Sequence, residues 1–304
     1  MVGWGAPWDM TSSLLEVIAV FGPTASGKTA VSEIVAIKLG TEVVSADAMQ
    51  VYSGLPILTN QPESPTRLVA IRSLSHEFSV GEYAKLAHEE VDELVRTNGV
   101  AVVSGGTGLY LRAALVDLEL PPAVETGARA RWEALYDGDP NAAHMRLQDL
   151  DPAAAAIVHR NDRRRVVRAL ELAEGGGSLV PAHDRLWSTE TRRPTLVVGL
   201  EVPPDRLAKR IRTRTEAMFA RGVIGEVRQA LVGEISKTAE KALGLRELTE
   251  LPPELAREQL IARTQRYAAY QRKWMRRIGS IVMIEGDRPV EEVADEILGL
   301  VRAR

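Results

Sequence analysis

Leu14-Leu15-Glu16-Val17-Ile18-Ala19-Val20-Phe21-Gly22-Pro23-Thr24-Ala25-Ser26-Gly27-Lys28-Thr29 is the stretch that decides the fold. Its first half is a short apolar run, the pattern of a strand buried on both faces of a parallel sheet. Its second half fits G-x-x-x-x-G-K-[ST], and Thr29 to Leu39 then carries apolar residues at helical spacing (Ala30, Val31, Ile34, Val35, Ile37) until Gly40 stops it. Strand, loop and helix in that order are the context this phosphate-binding motif requires. The glycines let the loop curl with its backbone N–H groups inward, Lys28 adds a mobile positive charge, and the Thr29 hydroxyl is suited to hold Mg²⁺. Gly22, Pro23, Thr24, Ala25, Ser26, Gly27, Lys28 and Thr29 are thus the candidate site for a di- or triphosphate, ATP included.

On the C-terminal side, Glu42 to Ser45 reads as a second strand that ends in the polar turn Ala46-Asp47-Ala48. Residues 51–75 carry Pro56, Pro62 and Pro65 without sustained periodicity and predict a surface loop. Glu82 to Arg96 predicts an amphipathic helix, and Val100 to Ser104 a buried strand that runs into Gly105-Gly106. Strands alternating with helices predict an α/β fold, a P-loop parallel sheet flanked by helices, with ligands at the carboxyl ends of the strands. From Pro121 the chain turns helical, charged and Ala-rich, with helices expected at 128–136, 141–150 and 163–174 and a flexible joint at Gly175 to Ser178. The resulting division is a catalytic domain over 14–120 and 195–304, a helical insertion domain over 121–194, and a loose extension over 1–13. The returning segment predicts a strand at 195–202, helices at 205–221, 224–232, 241–248 and 253–277, and a last strand at 280–284.

The chain has 304 residues, 45% hydrophobic and 26% charged, and no apolar run long enough to cross a bilayer. That composition predicts a soluble cytoplasmic protein without membrane contact. It has no cysteine, which excludes disulfides, a thiolate nucleophile, Cys-ligated zinc and iron–sulfur clusters. Its five His residues are scattered and read as structural. A formal net charge of −3 argues, as a sum, against a nucleic-acid partner. The distribution reverses that argument. His159 to Arg168 holds five Arg and one Asp, and Arg263 to Arg277 holds six basic residues and no acid, interleaved with Tyr267, Tyr270 and Trp274. These segments read either as RNA-facing surfaces or as solvated helix faces, the aromatics at helical spacing favouring a buried stripe.

A nucleotide hydrolase or switch normally ends a neighbouring strand in an Asp that orients Mg²⁺. Here the strand at 100–104 ends without an acid, and the second strand instead delivers Asp47. That carboxylate is positioned either as a metal partner or as a general base toward a second substrate.

Several motifs in order resemble the tRNA dimethylallyltransferases (tRNA isopentenyltransferases) of bacterial type. They are Gly22 to Thr29, Ser45-Ala-Asp47-Ala-Met-Gln50-Val-Tyr52, Gly105-Gly-Thr107-Gly-Leu-Tyr110, Asp151-Pro-Ala-Ala with His159 to Glu171, Arg214 to Val227, Lys241 to Glu247, and Thr264 to Trp274. The resemblance implies transfer of a dimethylallyl group from dimethylallyl diphosphate to N6 of adenosine 37 in the tRNA anticodon stem-loop, with release of diphosphate. It assigns Asp47, Thr24 and Arg214 to catalysis and Thr29 to Mg²⁺. It assigns Asp47, Ala48, Met49, Gln50, Thr107, Arg129, Arg164, Arg165, Arg168, Lys241, Gly244 and Arg246 to tRNA contact, and implies a monomer. The chain departs from the family's wording at Ala48, where Ser is usual, and across the loop after Tyr52. The other enzymes compatible with the loop are an ATP-dependent small-molecule P-loop kinase and an adenylate isopentenyltransferase. A nucleotide-switched RNA-binding protein is the non-enzymatic alternative.

Overall fold

The computed structural model describes residues 15–118, 127–180 and 185–304; the expected extension over 1–13 lies outside them. The chain divides into two compact units, 1–117 with 186–304, and 118–185.

The larger unit is built on six parallel strands: β1 (Val17–Phe21), β2 (Val43–Ser45), β3 (Thr66–Arg67), β4 (Ala101–Gly105), β5 (Thr195–Glu201) and β6 (Ile281–Glu285), in spatial order β3-β2-β4-β1-β5-β6. From β1 the chain crosses by α1 (Lys28–Leu39) to β2 on one side, and later continues to β5 on the other. The connections therefore diverge at β1, and a crevice opens over the carboxyl ends of β1, β2 and β4, where open α/β sheets bind ligands. Every residue of β1 and β4 is buried, as continuous apolar runs require when both sheet faces are covered.

Helices α2 (Val80–Asn98) and α3 (Gly108–Leu115) pack on one another beside β4. On the other face α1 packs against α12 (Val290–Arg302), whose Val293, Ala294, Ile297 and Leu298 join Val31 and Val35 in the main core. The sequence reading had no helix at 290–302, although its apolar residues recur at i, i+3, i+4 and i+7. Acidic Glu291 and Glu292 stand in its first turn, where negative charge suits the positive end of the helix.

Residues 51–75 were expected to form a surface loop. They instead bury Leu55 and Leu58 in a second core with Met218, Val223, Val227 and Leu260. Two backbone donors of this segment, Ile57 N and Leu58 N, are accepted by the Glu226 carboxylate at 2.7 and 2.8 Å. The prolines hid that burial because the backbone is satisfied by a side chain rather than by a ladder. The other helices of this core are α8 (Pro204–Ala220), α9 (Val223–Ala230), α10 (Leu245–Glu250) and α11 (Pro253–Met275).

The smaller unit packs α4 (Ala128–Gly138), α5 (Pro140–Leu150), α6 (Pro152–Ile157) and α7 (Arg163–Glu174) around Leu147, Val166, Val167 and Leu170. Asp139, Asp151 and Asp162 cap the last three helices by accepting backbone N–H bonds, with Pro in the first turn of α5 and α6. The segment read as a flexible joint is tethered: Gly175 N and Gly177 N donate to Leu172 O, and Ser178 Oγ donates to Asp151. The unit ends at 185 rather than 194, because Leu186 O and Ser188 O accept from buried Arg112 on α3 while Trp187 stacks on Trp274 of α11. Among the described residues no helix is long and apolar enough to cross a membrane.

Candidate active site

A cavity of about 630 Å³ opens over the carboxyl ends of β1, β2 and β4. Thr24, Ala25, Gly27, Lys28 and Thr29 form one wall, while Gly22, Pro23 and Ser26 lie buried beneath it. Gly27 sits at φ +93°, a conformation that glycine reaches without strain, and from it α1 starts with its N–H groups toward the cavity. Burial pushes the Lys28 amine down to about 8, against the pull of Asp47, with Arg214 adding to the lowering. Arg214 donates to Thr24 Oγ1 at 2.7 Å, and burial lowers its guanidinium as well. Its α8 neighbour Arg210 is held by Asp287 at 2.6 Å and donates to Ser26 O. Two cations thus converge on one end of the cavity, the arrangement that stabilises charge growing on a leaving diphosphate. Met218, Leu58, Leu243 and Leu260 give the same cavity an apolar flank.

Asp47, two residues beyond β2, lines the same cavity, close enough for its charge to act on both Lys28 and Arg214. One carboxylate oxygen accepts Met49 N at 2.9 Å, which fixes the group while leaving the other oxygen for chemistry. Thr107, just past β4, lies between them and α11: its hydroxyl accepts Ala48 N at 3.5 Å and meets the Tyr267 hydroxyl at 3.3 Å. Burial, with Asp47 nearby, pushes Tyr267 up to about 12, so its phenol stays protonated and available as a donor. Gln50 lines the cavity but is engaged by the protein, accepting Ser45 Oγ and donating to Asn60 O at 2.8 Å.

The aromatic stripe on α11 is not uniformly core. Tyr267 faces the cavity, Trp274 is half-buried against Gly108, and Tyr270 is 55% exposed. A Cβ at Gly108 would fall 2.3 Å from the Trp274 ring, so the glycine is what admits the indole. Gln271 falls within the Thr264 to Trp274 motif, which assigns it no role; it is 2% exposed and links Thr24 N and Gly106 O.

The remaining expected RNA contacts separate. Lys241 lines the cavity; Gly244, at φ +100°, caps α10 and packs against Leu58 and Leu260. Arg246 is exposed and pairs with Glu250 at 3.5 Å. In the smaller unit Arg164 and Arg165 are exposed on α7, whereas Arg129 pairs with Glu133 at 3.2 Å and Arg168 with Glu171 at 3.2 Å. Arg163 pairs with Asp137 at 2.7 Å. The described histidines are used locally, His76 on Glu82, His88 on Ala113 O, His144 on Val158 O, and His159, whose Nδ1 accepts Asn161 N.

Mg²⁺ needs few protein oxygens where substrate phosphates and water complete its shell. Thr29 and Asp47 share the cavity, and among the described residues no group of three or more His, Cys, Asp and Glu is gathered. The donor set fits an ion held chiefly by a bound diphosphate and water, with Thr29 as its protein ligand.

A glycine-rich loop at the switch point of a parallel sheet, two cations beside it and a carboxylate in the same cavity define a P-loop enzyme with an acceptor pocket. An IPP transferase family model matches residues 50–278, and an isopentenyl transferase model matches 15–73. The tRNA dimethylallyltransferase of Corynebacterium efficiens is 35% identical over 94% of this chain and 100% of its own length; that of Streptomyces coelicolor is 36% identical over 89% and 90%. The solved tRNA isopentenylpyrophosphate transferase of Bacillus halodurans is 30% identical, with a TM-score of 0.67 over 95% of this chain and 97% of its own. A eukaryotic dimethylallyltransferase solved acting on tRNA shares the fold, with a TM-score of 0.75 at 24% identity over 93% of this chain and 77% of its own. The chain belongs to the tRNA dimethylallyltransferase family.

Proposed function

We propose that the protein transfers a dimethylallyl group from dimethylallyl diphosphate to the N6 amine of adenosine 37 in the tRNA anticodon stem-loop, releasing diphosphate. The observation that carries the reading is one cavity lined at once by a diphosphate loop with its cations, by apolar side chains and by the Asp47 carboxylate. The donor's diphosphate is bound by the amides of Ala25 and residues 27–29, the Thr24 side chain, Lys28 and Arg214, and its dimethylallyl group lies toward Met218 and Leu260. When the allylic C–O bond breaks, its electron pair leaves on the diphosphate, and Lys28 and Arg214 stabilise that charge. The N6 lone pair forms the new C–N bond, and the proton it sheds goes to Asp47. Thr29 would hold a Mg²⁺ together with the bound diphosphate, and the ion would further neutralise the leaving group.

Adenine N6 reaches the Asp47 carboxylate only when the base has left its stack. Thr107 and Tyr267 offer polar contacts at that mouth, and Arg164 and Arg165 on α7 offer phosphate contacts further along the RNA. Such an enzyme works where tRNA is, in the cytoplasm, and this chain is read as a monomer.

The test is incubation of the protein with Mg²⁺, radiolabelled dimethylallyl diphosphate and unmodified tRNA, with AMP and with ATP in parallel. Label is expected in tRNA, at adenosine 37 on nuclease mapping. Label in AMP alone, or ATP turnover without prenyl transfer, would overturn the reading in favour of an adenylate isopentenyltransferase or a kinase.

A further inference from the structure

We propose that Gln271 is a positioning residue that sets the gap between the donor loop and the acceptor loop, and so the distance the allyl group must cover. This rests on the reading that the diphosphate sits on residues 24–29 and the adenine faces Asp47 and Thr107. Gln271 lies on α11, an element that belongs to neither loop, and its side chain is 2% exposed. Its Oε1 accepts Thr24 N at 2.8 Å, and its Nε2 donates to Gly106 O at 2.8 Å. A backbone N–H needs an acceptor and a backbone carbonyl needs a donor, so the two partners dictate the amide's orientation. Among side chains of this length, only an amide serves both at once without bringing a charge into the site.

Each end of the strut falls on a group beside the chemistry. Thr24 is held twice, by Gln271 through its N–H and by Arg214 through its hydroxyl. Because that N–H is engaged, Thr24 meets a donor through its side chain and not through its backbone. Gly106 precedes Thr107, whose hydroxyl is itself held by Tyr267, one turn before Gln271 on the same helix. Two rungs from one rigid helix therefore reach the acceptor loop, and one of them continues to the donor loop. The sequence accommodates the strut: a Cβ on Gly106 would lie 2.3 Å from Gln271 Nε2. Both ends of the Gln271 amide are bonded to the protein rather than offered to a substrate, so its loss should leave binding largely intact and misplace the two reactants; a displacement near 1 Å can slow a reaction on the order of 100-fold.

The experiment compares wild type with Gln271→Met, which keeps length and bulk but loses both bonds, with Gly106→Ala, which displaces the amide from the other side, and with the double variant. The kinetic expectation for each single variant is a fall in kcat of about 10- to 100-fold, with KM for donor and tRNA within about threefold of wild type. The double variant should lose little more than either single one, because both break the same strut. Hydrogen exchange on the donor-free protein should quicken in residues 22–29 and 105–108 of Gln271→Met and stay unchanged elsewhere. A Gln271→Met enzyme with kcat within about threefold of wild type, losses that multiply in the double variant, or a uniform quickening of exchange across the chain would overturn the assignment. The exchange measurement needs no turnover, so unaltered exchange in both loops overturns the strut even if the wild type proves to prenylate something other than tRNA.

Discussion

Two sets of arginines do different work in this molecule. On α8, Arg210 and Arg214 are half-buried, each bonded to a fixed protein oxygen, Arg210 on Asp287 and Arg214 on Thr24. On α7, Arg164 and Arg165 are exposed and stand on a helix whose other face is core. A charge held in a cavity wall acts through short, weakly screened contacts and was placed before any ligand arrives. A charge at the surface is screened within about 8 Å at physiological salt and acts as one of several roughly interchangeable contacts. The first kind should matter to rate and the second to affinity.

That contrast can be broken or sharpened by substitution. Asp47→Ala should produce the largest effect, a loss of about 10²- to 10⁴-fold in kcat with tRNA dissociation unchanged, read by single-turnover kinetics and filter binding. Arg214→Ala should lower kcat by about 10²- to 10³-fold, since it removes a preorganised donor at the leaving group and frees Thr24 Oγ1. Paired replacement of Arg164 and Arg165 by Ala should leave kcat at saturating tRNA intact, weaken binding, and flatten the plot of log affinity against log salt by about 1.4 to 1.8. A kcat defect in the α7 pair, or a salt-slope change in the Arg214 variant, would erase the distinction.

The smallest effect is a pH dependence at Lys28. Its amine sits at about 8 in the donor-free protein, below the ordinary lysine value, because burial disfavours the charged form. Between pH 8 and the ordinary value the unfolded chain binds the extra proton, so stability should rise with pH across that window. Donor affinity should move oppositely, falling as pH rises through about 8, because the proton that attracts the diphosphate is lost. Lys28→Met should flatten both trends, measured by thermal melts and by donor titration.

The catalytic wall was legible because it is local. Residues 22–29 carry their chemistry in contiguous order, and Asp47 follows from the end of a recognisable strand. What could not be read was what depends on contacts distant in sequence. Leu55 and Leu58 sit in a proline-marked segment whose burial depends on Glu226, and nothing near residue 55 announces that partner. Gln271 is 247 positions from the amide it holds. Arg129, Arg163 and Arg168 look in sequence like Arg164 and Arg165, and the fold shows that acids one turn away, or for Arg163 on α4, engage the first three.

Helix α12 gives the active site a temporal order. The loop that grips the diphosphate is translated long before α12, yet the helix leading out of it buries Val31 and Val35 against Ile297 and Leu298. A ribosome that has made the loop, the sheet's centre and the whole acceptor side still holds a nascent chain whose donor helix has one bare flank. A chain cut before residue 290 should therefore carry every catalytic group on a donor helix stripped of its packing partner.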